Sequence, residues 1–142
     1  MKTMQSFKLQ FKVLLIAAIM ITVIASCEKD EDQRTPPDVQ FKTGSGYTSS
    51  DAITGQGATV LVGIIATKTE DELKTFNVSY AYDGATSTIT DTTITLTTAQ
   101  EDSYSTDYTI LTRSQAGTEK WSFTVTDRDG NITSKSITLT VQ

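Results

Sequence analysis

The 142-residue sequence has no histidine, only one cysteine and only two prolines. Without histidine, the chain lacks the usual general base near neutral pH and the commonest metal ligand. A single cysteine excludes an internal disulfide bond. These absences exclude much enzyme chemistry, because a serine or threonine nucleophile would have only lysine or a carboxylate as its base.

Basic residues are also scarce after the first twelve positions. Lys2, Lys8 and Lys12 precede an apolar run, whereas all 17 acidic residues follow Cys27. From Cys27 onward the chain has 9 bases against 17 acids, a net charge of −8. A surface of that sign repels phosphate backbones, so we expect no nucleic-acid partner.

The cysteine stands at the end of the apolar run. Residues 13–25 (VLLIAAIMITVIA) follow a basic, polar segment and lead into small residues, which is the layout of an export signal. The run is shorter than the roughly 20 apolar residues of a membrane-spanning helix and ends in charged residues. We therefore expect residues 1–26 to be a cleaved signal peptide.

The four residues Ile24-Ala25-Ser26-Cys27 resemble a bacterial lipobox. The resemblance implies cleavage between Ser26 and Cys27, a diacylglyceryl thioether on Cys27 and an acylated new amino terminus. Several acyl chains together make a stable membrane anchor. The alternatives are a secretory signal with a chance cysteine, or an uncleaved anchor helix.

An acidic stretch follows the cysteine. It resembles the short export stretch of surface lipoproteins of Bacteroidota, which implies display on the outer leaflet of a bacterial outer membrane; its members are Glu28, Lys29, Asp30, Glu31 and Asp32. The alternative is a solvated tether that keeps the folded body off the membrane. In either case residues 27–37 form an acidic tether, and Pro36 and Pro37 stiffen its end.

Residues 38–142 have the composition and periodicity of an all-β domain. Threonine occurs 27 times in the whole chain and favours strands because its branched side chain has restricted torsions. Apolar residues alternate with polar ones, as in strands with one buried face. We predict seven strands, marked by Val39 and Phe41; Thr59 to Ala66, as a central strand covered on both faces; Phe76, Val78, Tyr80 and Tyr82; Ile94 and Leu96; Tyr108 and Ile110; Trp121, Phe123 and Val125; and Ile137, Leu139 and Val141.

Turn signals separate these strands, notably Asp83-Gly84 and Asp129-Gly130-Asn131. The one helix-like stretch, Thr69 to Leu73, is too short for more than one turn. Short strands at this spacing predict an immunoglobulin-like antiparallel β-sandwich. Residues 117–141 also resemble the closing hairpin of bacterial immunoglobulin-like and cadherin-like repeats, a likeness that implies a fold and no particular function.

Three oxygen-bearing residues alternate in the turn of that hairpin, as at the start of a calcium loop: Asp127, Asp129 and Asn131. A helix-loop-helix calcium site requires glycine at the sixth position and a bidentate glutamate at the twelfth. Here glycine is fourth and Thr138 is twelfth, so a tight turn with a positive backbone angle at Gly130 or Asn131 fits better. We expect no metal and no cofactor.

Aromatic residues are candidates for a sugar-binding surface. Trp121 shares the spacing of the buried face, so we expect it in the core. Tyr47 and Tyr104 lie in turn-rich stretches and are expected to be exposed. The resemblance to surface lipoproteins, which often handle polysaccharide, implies a glycan partner as the alternative to an envelope-protein partner.

Catalytic and modification sites have weaker signals. A glycosidase needs two carboxylates about 5 to 10 Å apart across a cleft, and the available acids are Glu101, Asp102, Asp83 and Glu119. A small sandwich seldom has such a cleft, so we expect no enzyme activity. Asp91-Thr92-Thr93 resembles the O-glycosylation pattern of exported Bacteroidota proteins, which implies a glycan on Thr92.

The sequence thus predicts a non-catalytic, lipid-anchored envelope protein that acts by binding or by structure. We expect the lipid on Cys27 to anchor it to the membrane. The alternative is a small carbohydrate-binding lipoprotein of a polysaccharide-uptake system.

Overall fold

The computed structural model describes residues 34–142. The predicted signal peptide, the lipid on Cys27, its cleavage site and the export stretch at residues 28–32 lie outside the described residues. Within the described range, no helix is long and apolar enough to span a membrane.

The described chain forms eight strands in two sheets. They are β1 (Asp38–Phe41), β2 (Ala52–Thr54), β3 (Thr59–Thr67), β4 (Leu73–Tyr82), β5 (Ile89–Thr95), β6 (Ser103–Leu111), β7 (Gly117–Asp127) and β8 (Ile132–Val141). One sheet has the order β1-β3-β6, and the other has the order β2-β8-β7-β4-β5. Residues 34–142 therefore form an all-β, immunoglobulin-like sandwich, as the alternation of apolar residues predicted.

The strand that the sequence did not reveal is β2. It has only three residues, which is too short for an alternating pattern, and it pairs in parallel with β8. Every other pairing is antiparallel. The helix-like stretch contributes bends and the first residue of β4, whereas a single 3₁₀ turn occurs at Thr98–Gln100.

The core lies between the sheets and centres on β7. Trp121, Phe123 and Val125 are buried, as are Ile137, Leu139 and Val141 of β8. The Phe123 ring contacts Phe41 of β1 at 5.9 Å and Tyr108 of β6 at 5.8 Å between ring centroids. These aromatic contacts join the two sheets, because β7 belongs to one and β1 and β6 to the other.

The central strand β3 is fully covered on one face and partly covered on the other. Val62, Ile64 and Ala66 are fully buried toward the core, whereas Ile65 on the other face is 40% exposed. The expectation of cover on both faces is therefore confirmed only in part, because Gly63 on the outer face is buried and Leu61 is half-buried. The outer face is crossed by the Lys42 side chain, whose Nζ lies 2.6 Å from the Asp107 carboxylate. It crosses at Gly63, where a Cβ would lie 2.5 Å from the Lys42 stem.

Turns close the strands where glycine signals stood in the sequence. Asp83 and Gly84 have positive φ angles of 52° and 75°, and Gly130 has φ of 90°. The two consecutive positive angles at Asp83 and Gly84 form a tight turn, closed by a hydrogen bond from Ala85 N to the Tyr82 carbonyl oxygen, that begins the loop between β4 and β5. Pro37, the last residue of the predicted tether, is buried, and its carbonyl oxygen accepts a hydrogen bond from Thr133 Oγ1 at 2.6 Å.

Candidate functional site

Two long edge strands lie on the same side of the sandwich. β5 ends the five-stranded sheet and β6 ends the three-stranded sheet, and the Tyr108 hydroxyl of β6 donates a hydrogen bond to the Asp91 carboxylate of β5. We call this the open side, bounded by β5 and β6. The closed side is bounded by the short strands β1 and β2.

Among residues 34–142, no strand pairs with the outer edge of β6. Its nine residues pair with β3 without a register shift. Lys42 N and Thr48 N donate to the carbonyl oxygens of Gly63 and Leu61, each at 2.8 Å, so these two residues of β3 direct their backbone groups away from β6. Their partners in register therefore direct their own backbone N–H and C=O groups to the free edge. By alternation, that edge presents Ser103, Ser105, Asp107, Thr109 and Leu111.

The other edge strand, β5, contains a bulge at Asp91. Val78 pairs with Thr92 and Ser79 with Thr90, so Asp91 is the unpaired extra residue. The bulge changes the phase of the strand. As a result Ile89 and Ile94, which are an odd number of residues apart, both face inward, opposite Tyr80 and Phe76. They remain 51% and 37% exposed.

A row of aromatic rings lines the open side from β7 to β4. Tyr80 lies 4.7 Å from Trp121 and 5.0 Å from Tyr82, and Tyr108 lies 6.1 Å from Trp121, between ring centroids. The planes are tilted by 35° to 49° rather than coplanar. Burial, and then the hydrogen bond to Asp91, raises the pKa of the Tyr108 hydroxyl, so that hydroxyl stays protonated as a donor.

The expectations for single aromatic residues had different outcomes. Trp121 is buried, as predicted. The expectation that Tyr104 is exposed was wrong, because it shares the inward parity of Tyr108 and Ile110 and packs 5.3 Å from the Phe76 ring. Tyr47 is half-buried, and its hydroxyl donates to Asp107.

A charged cluster lies at one end of the open side, where β4 ends at Tyr82. We call this the upper end. Arg113 donates two hydrogen bonds to Asp83, at 2.8 and 2.6 Å, and lies over the Tyr82 ring at 4.8 Å. The Arg113 side chain, and then the N–H of Thr118, lowers the pKa of the Asp83 carboxyl to about 2. The cluster is compact: a Cβ on Gly117 would overlap Arg113 Nη2.

Glu119 is the fully buried member of this cluster. Its carboxylate accepts hydrogen bonds from Arg113 N at 2.8 Å and from Trp121 Nε1 at 3.0 Å. A buried carboxylate is stable only when such donors replace water. Its role here is to hold Trp121 and the segment after β6 in place.

The four acids that the sequence offered for catalysis do not form one group. Asp83 and Glu119 flank Arg113 near Tyr82, at one end of β4. Glu101 belongs to the other end, where its carbonyl oxygen accepts from Leu73 N, and Asp102 pairs there with Lys68. A shallow pocket of about 230 Å³ at that end is lined by Glu72, Leu73, Lys74, Thr95, Leu96, Glu101 and Arg128.

The residues considered for calcium form a turn. Asp127 is buried, and its two carboxylate oxygens accept from Asn131 N at 2.8 Å and from Asn131 Nδ2 at 2.9 Å. Asp129 lies beside Arg128, 3.6 Å from its Nε. Among the residues described, no group of three or more cysteine or acidic side chains is placed to hold a metal ion.

Thr92, the predicted glycosylation site, lies within β5 next to the bulge. It is half-buried, whereas Thr93 is exposed and its Oγ1 accepts from Asn77 Nδ2 at 2.7 Å. Neither the bulge at Asp91 nor the role of Arg113 was predicted from the sequence. Glu119, however, has the same parity as Trp121 and Phe123, and that parity alone indicates its burial.

Comparison with known proteins identifies the fold and goes no further. No family model matches the chain, and no curated protein matches its sequence. A DUF4466 family protein from the Bacteroidota member Parabacteroides merdae superposes with a TM-score of 0.50 at 12% identity, over 72% of this chain and 43% of that protein. Murine CRIg aligns at 12% identity with a TM-score of 0.41, over 76% of this chain and 99% of the CRIg chain. This chain thus spans less than half of the Parabacteroides protein.

Proposed function

We propose that this chain is a non-catalytic, lipid-anchored protein of the bacterial cell envelope whose folded body binds a protein partner. The observation that carries this proposal is that no strand in the described part of the chain pairs with the outer edge of the nine-residue strand β6. An exposed sheet edge presents a row of backbone donors and acceptors that another strand can use. A protein partner is therefore the ligand class that this surface fits best.

The aromatic row supports a sugar ligand less well. Stacking against a sugar ring needs an exposed flat face, whereas Trp121 is 5% exposed and its neighbours are tilted. One observation keeps the glycan alternative open: Tyr80 and Tyr82 are only half-buried at the open side, beside Arg113. The alternative function is a small carbohydrate-binding lipoprotein.

The proposed location is the outer membrane, with the body displayed at the cell surface. It is supported by the lipobox-like residues and by the acidic stretch after Cys27. Growth with a clickable fatty acid should label the wild-type protein and leave a Cys27→Ala variant unlabelled. Label on the variant would contradict the anchor, and full protection of the body from protease on intact cells would contradict surface display.

Partner binding is tested by crosslinking on living cells followed by mass spectrometry of the purified chain. A photoreactive residue replaces Thr109 on β6 in one strain and Ser136, exposed on β8, in a control strain. We expect one envelope protein to be recovered repeatedly from the first strain and not from the control. Recovery of no protein from either strain, together with binding to a glycan array, would favour the sugar-binding alternative.

A further inference from the structure

The two sheets differ in width, and the difference leaves room for one strand. Constant-type immunoglobulin domains pack a sheet of four strands against a sheet of three, whereas here three strands face five. The inward rings of β6 contact the middle of the wider sheet: Tyr104 contacts Phe76 of β4, and Tyr108 contacts Trp121 and Phe123 of β7. A strand added beyond β6 would consequently lie over β5.

The inner face of β5 has the side chains that such a strand would cover. Ile89 and Ile94 face inward and are 51% and 37% exposed. Asp91 lies between them and is also exposed. An added strand with alternating apolar residues would bury both isoleucines while its backbone pairs with Ser105, Asp107 and Thr109.

The charge of the open side indicates which strand fits. β5 and β6 contain two acids, Asp91 and Asp107, and neither strand contains a lysine or arginine. Asp107 forms an ion pair with Lys42. Asp91 instead accepts a hydrogen bond from the uncharged hydroxyl of Tyr108, which does not neutralise the Asp91 carboxylate. Residues 34–142 together have 13 acids and 8 bases. This charge disfavours a second copy of the chain and favours a cationic partner.

We propose that the free edge of β6 accepts an extended, cationic segment of another protein as a fourth strand of its sheet. This inference rests on the proposed function, since it names the partner class for that surface. Apolar side chains of the added strand cover Ile89 and Ile94, and a lysine or arginine among them meets Asp91. Backbone hydrogen bonds to β6 supply the remaining contacts.

A peptide-binding experiment with the full chain in detergent tests the inference. The probe is a nine-residue peptide in which threonine alternates with valine or lysine, so that one central lysine shares a face with the valines, and a second peptide has glutamate in place of that lysine. We expect the cationic peptide to bind about tenfold more tightly than the acidic one, with an affinity that falls as salt rises. Amide exchange at Ser105, Asp107 and Thr109 should slow on binding.

Two matched proline variants locate the site. Ser105→Pro removes an N–H from the free edge of β6 without removing a bond to β3, and should weaken peptide binding about tenfold or more. Thr95→Pro makes the same change on β5, where Leu96 N and not Thr95 N faces β4, and should leave binding unchanged. Equal loss in both variants, or equal affinity for the two peptides, would overturn the inference.

The remaining outcomes separate this inference from the proposed function. A dimer of the purified chain that dissociates on Ser105→Pro would replace the cationic segment with a second copy and so overturn the inference. An envelope protein that is crosslinked in cells equally well with and without Ser105→Pro would also overturn it, while leaving the proposed function intact. Loss of that crosslink with Ser105→Pro alone would support both.

Discussion

The edge strands on the closed side of this sandwich are short and held by side-chain contacts, whereas those on the open side are long. On the closed side, β1 has four residues and β2 has three, and side chains tie both to the neighbouring structure. Thr133 donates to the carbonyl oxygen of Pro37, and Thr138 N donates to Asp51. On the open side, β5 has seven residues and β6 has nine.

The edge strand β6 differs from the other three edge strands. Short strands and a flanking proline limit pairing at β1 and β2, and a bulge with an inward-facing acid limits it at β5. β6 has none of these features: its register is unbroken and its charged residue, Asp107, is already paired within the sheet. Among the described edge strands, β6 is the long one with neither a bulge nor a flanking proline, so it is the edge at which a partner strand fits best.

The largest expected effect on stability is the difference between proline substitutions at two adjacent residues of β6, one facing β3 and the other facing the free edge. Thr106→Pro removes an N–H that faces β3, so we expect it to lower the free energy of unfolding by about 2 to 4 kcal/mol. Ser105→Pro removes an N–H at the free edge and should lower it by about 1 kcal/mol or less. Urea unfolding followed by tryptophan fluorescence measures both changes. Similar losses of unfolding free energy would show that both edges of β6 are paired.

On the closed side, the tie between β8 and the chain entering β1 is expected to have an intermediate effect. Thr133→Val keeps the shape of the side chain but leaves the Pro37 carbonyl oxygen without its donor, which should cost about 1 kcal/mol. Thr140→Val, farther along the same strand, is the control for loss of a hydroxyl. The hypothesis of a tied closed side predicts a greater loss for Thr133→Val in chemical denaturation than for the control.

The corresponding contact on the open side should contribute less. Tyr108→Phe deletes the donor to Asp91, but Asp91 is exposed and water can replace the lost partner, so we expect a loss below about 1 kcal/mol. Amide exchange in β5 should nevertheless become faster, because β6 no longer holds it. Asp91→Asn retains an acceptor for the hydroxyl and should change exchange less; equal acceleration in both variants would argue against this role of the contact.

The smallest expected effect concerns acid at the upper end of the open side. Arg113 lowers the pKa of Asp83 to about 2, so the stabilisation is present above the ordinary pKa of the group and is lost as the pH falls toward 2. The melting temperature should therefore decrease between about pH 4 and pH 2. Asp83→Asn should flatten the decrease, and added salt should reduce it because the pair is exposed.

The parts of the fold that were predictable are those set by neighbours along the chain. Alternation identified β7 and β8 and the burial of Trp121, because side-chain direction in a strand repeats every two residues. Glycine signals located the turns at Asp83-Gly84 and Gly130. Each of these features depends on fewer than about a dozen consecutive residues.

The candidate site was less predictable because it depends on pairing between distant strands. The bulge at Asp91 is defined only against Val78 and Ser79, and the free edge of β6 is defined by what pairs with β3. The strand β2 had too few residues for a pattern. No local sequence signal indicates how many strands each sheet contains. The open side exists because one sheet has three strands and the other has five.

The entry of the chain at Pro37 has a mechanical consequence. In the proposed anchored state, any pull from the membrane would be transmitted through Pro37 into β1, which four register pairs join to β3. β1 also buries Val39 and places Phe41 against Phe123, so peeling it would open the core before the longer strands are loaded. Resistance of the body to shear at the cell surface would then be limited by its shortest antiparallel strand. The contacts of Thr69 with the carbonyl oxygens of Thr35 and Pro36, and then the contact between Thr133 and Pro37, are positioned to take the first of that force.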